Sequence, residues 1–414
     1  MGVNKKVSDI NSDSWKIAEL GELITSITNG VTYDPERSTG FPITRIETIA
    51  EGTINPEKVG LTPYTPSLEK FKLKKGEILY SHINSVAHIG KTAYCENDYE
   101  ILHGMNLLKI KPRDSIDAKF LYYILNSKFG RRQAYSAAKR AVNQASLSTT
   151  EIRKFKFPIP PLPEQKAISH ILTLMDIIIH KNNHLIARKE LQKKWLMQNL
   201  LTAKKRLKGF EKEKWIEASL ENLFKRVTRR NSEQNTNVVT ISAQRGFVRQ
   251  TDFFNKPIAS DIIDNYFLVE KGEFCYNKSY SNGYPWGATK RLKDFDKAVV
   301  TTLYICFGLK NPKTDSGDFF DQYFEANLLD RGLTKIAHEG GRAHGLLNVT
   351  PSDFFSLKII IPPPKEQVAI AQLLQVADKE IEILKTKTEN LRTQKKGLMQ
   401  QLLTGRKRLK TNGN

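Results

Sequence analysis

One stretch of this chain occurs twice. Residues 164–208 align without a gap on residues 366–410 at a constant offset of 202, and 20 of the 45 paired positions are identical. The identities gather at the ends of the block: Glu164-Gln165 against Glu366-Gln367, Leu196-Met197-Gln198 against Leu398-Met399-Gln400, and Lys205-Arg206-Leu207-Lys208 against Lys407-Arg408-Leu409-Lys410. A match of this length at fixed spacing marks an internal duplication, so the chain folds as two copies of one plan. Ahead of each block the copies diverge, with only scattered agreement. Trp15, Leu20 and Leu23 correspond to Trp215, Leu220 and Leu223, Lys75-Gly76-Glu77 to Lys271-Gly272-Glu273, and Arg140 to Arg342. The order is variable module (1–160), fixed segment (161–209), variable module (210–361), fixed segment (362–414).

The fixed segments read as long helices. Pro160, Pro161 and Pro163, like Pro362, Pro363 and Pro364, impose extended backbone and stop any preceding element. Beyond them no Pro or Gly interrupts the first block, and only Gly397 and Gly405 interrupt the second. Apolar residues recur at spacings of three and four, as in Ile168, Ile171, Leu172, Met175 and Ile179 or Ile370, Leu373, Leu374, Ala377 and Ile381. Sustained spacing of this kind predicts a coiled-coil seam on helices about 60 Å long. An antiparallel pair would bury the two stripes on each other. It would also hold the modules apart as a spacer of fixed length, related by a pseudo-two-fold axis. Polar Asn182, Lys189 and Lys193 fall where the first seam should be apolar, which predicts partner contacts or imperfect packing there. In the modules, short β-like runs lie among Gly, Asn and Pro turns, with a helical stretch near 117–139 and near 318–337. Both modules therefore read as α+β.

Composition limits what such a chain can do. The formal charge is +21, from 65 Lys and Arg against 44 Asp and Glu, which favours a polyanion as partner because each neutralised phosphate releases counterions. No apolar run approaches the roughly 20 residues of a membrane span, and the polar first 14 residues do not resemble a signal peptide. The three cysteines, Cys95, Cys275 and Cys306, make neither a disulfide framework nor a zinc signature. A soluble, cytoplasmic, polyanion-binding protein without a membrane role is expected.

Catalytic signatures are weak. Gly90-Lys91-Thr92 echoes the end of a phosphate-binding loop, but Ser85 stands where its first Gly is required. An adenine methyltransferase needs Asn or Asp followed by Pro-Pro and an aromatic residue, and neither Pro161 nor Pro363 has such neighbours. His180 and His184 share a helical face without an evident third ligand, so a solvated or interface pair is expected rather than a metal site. Asp117 and Lys119 mimic part of a nuclease motif, and equally begin a helix after Pro112. The Lys204–Lys208 and Arg406–Lys410 clusters either clamp phosphates or form a favourable cationic last turn on each helix.

Taken together, the Pro-rich Glu-Gln openings, the repeated Leu-Met-Gln-x-Leu-Leu-Thr near each helix end, and the alternation of variable and fixed parts resemble the specificity subunit of type I restriction–modification enzymes. The resemblance covers nearly the whole chain. It implies two globular target-recognition domains separated by two long antiparallel coiled-coil helices, each domain reading one half of a bipartite, asymmetric site in double-stranded DNA. It further implies that the helices set the gap between half-sites and dock two methyltransferase subunits, and that motor-endonuclease subunits complete the restricting complex. No catalysis is expected of this chain alone, nor any bound cofactor or metal; S-adenosylmethionine, ATP and Mg belong to the partner subunits.

Direct readout of bases uses forked donors and amides, with hydroxyls and aromatics supplying backbone contacts and stacking. In the first module the stretch Arg140, Asn143, Gln144 and Ser146 resembles the Gln-containing loop that the family places against DNA, and Arg45, Tyr80, Ser81, His82 and Lys91 follow strand-like runs. The second module offers Gln244, Arg245, Lys278, Ser279, Tyr280 and Lys290, together with Arg342, His344 and Asn348. His344 and Leu346 replace Val142 and Gln144 there, which points to a different half-site. Each of these is also readable as an ordinary surface residue or turn-former. On the helices, Leu196, Met197, Leu200, Leu398, Met399 and Leu402 are the expected partner-binding positions.

Overall fold

The computed structural model describes residues 15–50, 52–86, 88–141, 144–250, 263–337 and 347–410. They form two compact units, residues 1–183 with 386–414, and residues 184–385. The two cuts, after 183 and after 385, lie 202 residues apart, so the units divide both repeats at the same position. Each unit combines one variable module with the first part of the long helix that follows it and the last part of the other long helix.

Both long helices, Leu162–Leu200 and Pro364–Leu402, have 39 residues, a length of about 58 Å. Within each unit the helix segments run antiparallel. In the first, Asp176 pairs with Lys395 at 2.5 Å and Asn183 accepts from Arg392 at 3.1 Å. In the second, Lys189 pairs with Glu380 at 2.8 Å, Glu190 with Lys385 at 2.6 Å and Lys193 with Asp378 at 2.5 Å. The polar seam positions Lys189 and Lys193 therefore make cross-helix ion pairs inside the chain, whereas the Asn182 amide nitrogen is buried without a hydrogen-bond partner. The apolar stripes face the modules as much as each other. Ile168 and Leu172 join the core of the first module with Leu402 and Leu403, and Ile370, Ala371 and Leu374 join that of the second with Leu200 and Leu201.

Each helix ends on a left-handed residue, Ala203 (φ 58°) in one copy and Gly405 (φ 71°) at the same repeat position in the other. The basic clusters thus lie beyond the helices, and the expectation of a cationic last helical turn is corrected. Arg206 and Arg408 turn inward instead. Arg408 donates to Glu164 at 2.8 and 2.9 Å, and Arg206 to Glu366 at 2.7 and 2.8 Å. Trp15 Nε1 and Trp215 Nε1 donate to the same two carboxylates at 3.1 and 2.9 Å. The Glu of each Glu-Gln pair therefore ties the entry of its module to the tail of the opposite helix. Its neighbour does the remaining local work. Gln165 Nε2 donates to the Pro160 carbonyl while its Oε1 accepts from Asp117 N, and Gln367 does the same with Pro362 and Ser316 N. A carboxylate this buried needs charge-assisted partners, which explains why the motif and the distant arginines recur together.

Both modules share one frame. A ribbon closes each: Lys16–Glu19 pairs antiparallel with Lys156–Ile159, and Ile216–Ser219 with Lys358–Ile361. The central sheet runs Ile24–Asn29, Leu108–Pro112, Ile78–Tyr80, Thr92–Tyr94 in the first module. In the second, Phe224–Arg226, Ile305–Leu309, Phe274–Asn277 and Ala288–Arg291 follow the same order. Helices Ala118–Asn126 and Gly317–Glu325 each begin with a side-chain cap, Asp117 and Ser316, and bury one apolar face. Asp117 is thereby a helix cap, and Lys119 pairs with Glu96 at 2.9 Å. The modules part company outside this frame. A four-stranded sheet containing Phe41–Thr44 and Tyr99–Leu102 packs in the first, against two-stranded pairs in the second. The α+β class with internal repetition is as expected.

Candidate nucleic-acid interface

The loops that leave the central sheet gather at one place in each module. In the first, the chain passes from Ile78–Tyr80 through Ser81 and His82 into the short strand Ile83–Asn84. That strand pairs with Gln144–Ser146, which pairs in turn with Lys139–Ala141. Leu147 N donates to the His82 carbonyl at 2.8 Å, fixing the register. Arg140 lies opposite Ala145, and Gln144 opposite Ala141, while Ser146 is exposed. Asn143 and Val142 lie outside the described residues. Lys91 is also near, because its carbonyl accepts from Ser81 N at 2.8 Å, and its amino group reaches the Ala50 carbonyl at 3.2 Å. Arg45 stands apart, just past strand Phe41–Thr44 and 3.8 Å from Glu47. The structure adds Asn84, whose amide donates to Ser81 Oγ at 3.1 Å; no motif marks it, and only its pairing to Ala145 brings it into the group.

The second module repeats the construction with different residues. After Phe274–Asn277 the chain enters a loop in which Leu347 N donates to the Lys278 carbonyl at 3.0 Å. The Lys278 amino group reaches the Val349 carbonyl at 3.5 Å, so exposed Asn348 sits beside it. Ser279 N is held by the Asn277 side chain, and Tyr280 is 68% exposed. Gln244 joins this cluster by donating to the Asn282 carbonyl at 2.9 Å, next to exposed Arg245. Arg342, His344 and Leu346 lie outside the described residues.

Several expected contacts are corrected by burial. Tyr80 is packed in the first module's core at 1% exposure, Ser81 is equally enclosed, and burial pushes the His82 ring down to about 4, so it carries no charge at neutral pH. Lys290 is buried, donating to the Tyr284 hydroxyl and paired with the Glu325 carboxylate, which balances its charge. A side chain so enclosed does not meet a phosphate, and these four are set aside. The partner-binding expectation is corrected likewise. Leu200 and Leu402 are buried, and Leu196, Met197, Leu398 and Met399 pack against the module cores. The exposed apolar side chains of the helices are others, among them Leu191, Trp195, Val376 and Ile383.

No nucleotide loop is built at Gly90-Lys91-Thr92, because Thr92 opens a strand and not a helix. Among the described residues no three His, Cys, Asp or Glu cluster as metal ligands, and no helix is long and apolar enough to cross a membrane.

A duplicated α+β frame, each copy carrying its own loop cluster, defines a protein built from two related modules. A family model of the type I restriction modification DNA specificity domain matches residues 12–190 and again residues 211–393, and the chain belongs to that family. It is 33% identical, over 98% of its own length and 96% of the relative's, to the putative type I restriction enzyme MjaX specificity subunit of Methanocaldococcus jannaschii. It is 24% identical to the MjaVIII specificity subunit of the same organism, over 96% of this chain and 94% of that one. The fold is similar to that of the S subunit of a type I restriction–modification system from M. genitalium, with a TM-score of 0.59 and 16% identity over 97% of this chain and 98% of the other.

Proposed function

We propose that this chain is the DNA-reading, non-catalytic subunit of a type I restriction–modification complex, each module reading one half of a bipartite, asymmetric site. The observation that carries the proposal is one frame bearing two different loop clusters. Asn84 beside strand Gln144–Ser146 in the first copy, and Lys278–Tyr280 beside Asn348 in the second, each follow the third strand of the central sheet and differ in sequence. Two copies of a frame with unlike reading residues suit a site with two unlike halves. The helices would fix the number of base pairs between the halves, and their exposed apolar residues would dock two methyltransferase subunits. Motor-endonuclease subunits would complete the complex. S-adenosylmethionine, ATP and Mg would act on those partners, all in the cytoplasm.

A genome-wide methyladenine map, made with and without this gene in cells holding the methyltransferase, tests the reading. Loss of methylation at one two-part motif is expected and would supply both half-sites and the spacer. Unchanged methylation in a strain with a working methyltransferase would refute it.

A further inference from the structure

A cavity of about 780 Å³ in the first unit lies between the start of helix Lys128–Ala137 and the last turns of Pro364–Leu402. Its walls carry seven cationic side chains and no carboxylate. Arg392 and Lys395 are engaged with Glu389 and Asp176. Lys128, Arg132, Lys396 and Arg406 have no acidic partner among the described residues. The floor is apolar, formed by Phe129, Met399 and Leu403. The first turn of the ten-residue helix lines the cavity, with Ser127, Lys128 and Phe129 at its wall.

The internal repeat shows that the frame does not require this charge. At the offset of 202, Lys128, Arg132 and Arg392 become Asp330, Thr334 and Glu190 in the second copy, while Lys396 and Arg406 remain basic as Lys194 and Lys204. One copy of the plan thus folds with mixed charge at positions where the other gathers cations alone. Like charges brought together repel, so an uncompensated group around a hollow is stabilised by an anion. The volume is that of a small-molecule site, with an apolar floor and convergent cationic groups above it.

We infer that this cavity binds a nucleotide-type organic polyphosphate, its phosphates held by Lys128, Arg132, Lys396 and Arg406 at the helix N-terminus and its flat apolar part resting on Phe129, Met399 and Leu403. The site is separate from the loop clusters, and the methylation map tests those independently.

Isothermal titration of the purified full chain with ATP, GTP and inorganic tripolyphosphate tests the assignment. One equivalent of nucleotide is expected to bind more tightly than tripolyphosphate. Lys128→Asp with Arg132→Thr, the residues of the second copy, should weaken binding about tenfold or more, because charge-assisted contacts are lost. Lys396→Glu, on the opposite wall, should do the same, with circular dichroism and melting unchanged in both variants. Absence of saturable nucleotide binding, or equal binding by the variants, overturns the inference. Tripolyphosphate binding as tightly as ATP overturns the nucleotide assignment. Variants that lower only the affinity for duplex DNA overturn it too, and give the cations to the DNA backbone.

Discussion

The buried carboxylate of the second unit offers a measurable asymmetry. Glu366 is fully enclosed, and its two oxygens accept from Arg206 and Trp215. The Arg206 side chain is only 18% exposed, so little water can replace it. Arg206→Met removes the cation and strands the charge, and breaking a buried pair in this way costs about 3–5 kcal/mol. Glu366→Gln removes the charge but keeps an acceptor for Trp215, and leaves an arginine able to turn to solvent, for a loss of about 1–2 kcal/mol. In the first unit Arg408 is 37% exposed, so Arg408→Met is screened by water and should cost less, about 1–2 kcal/mol. Amide hydrogen exchange reads each site locally, on ribbon Ile216–Ser219 with Lys358–Ile361 and on ribbon Lys16–Glu19 with Lys156–Ile159. Arg206→Met should loosen the former alone. A loss below about 1 kcal/mol for Arg206→Met, or a larger one for Arg408→Met, would refute the reasoning that burial sets the magnitude.

Three further outcomes are expected. Burial raises the Glu164 proton affinity, but the bonds from Arg408, Leu409 N and Trp15 outweigh it and hold the folded carboxyl below the ordinary value of 4.5. Its contribution is therefore complete above that value and lost as pH falls through the lower folded value; urea midpoints of Glu164→Gln should lose this acid-side slope, and an unchanged slope would contradict it. Ala203 adopts the left-handed conformation that Gly405 takes in the other copy, so Ala203→Gly should raise stability and Gly405→Ala lower it, each by about 1 kcal/mol in denaturant melts; shifts of the same sign would count against the assignment. Gln144→Ala should relax one half-site by about 1–3 kcal/mol in competition binding, whereas uniform weakening on all sequences would remove it from base readout.

The duplication, the α+β class and the long helices were legible because they depend on spacing alone, which one sequence records. What lay hidden depended on partners far along the chain. Lys205-Arg206-Leu207-Lys208 reads as a cationic helix end until Glu366 is found beneath it, 160 residues away. Tyr80, Ser81 and His82 follow an apolar run as loop residues do. Tyr80 is enclosed because it ends a strand held between two others in the central sheet, and Ser81 and His82 because Gln144–Ser146 pairs with Ile83–Asn84 and Leu147 N reaches the His82 carbonyl, events of register that no local pattern encodes. The repeated Leu and Met positions near each helix end looked like a docking face. They are recurrent because both module cores need them.

The Glu164–Arg408 tie has a consequence for the order of events during synthesis. Trp15, Glu164, Leu402, Leu403 and Arg408 belong to one unit, yet they are translated almost 400 residues apart from first to last. The second unit holds all of its own segments, from Leu200 to Leu374, by the time its core is made. The first module therefore waits with an apolar face and the Glu164 carboxylate uncovered until residues 402–408 have been made. Its closure reports that both copies of the repeat have been made.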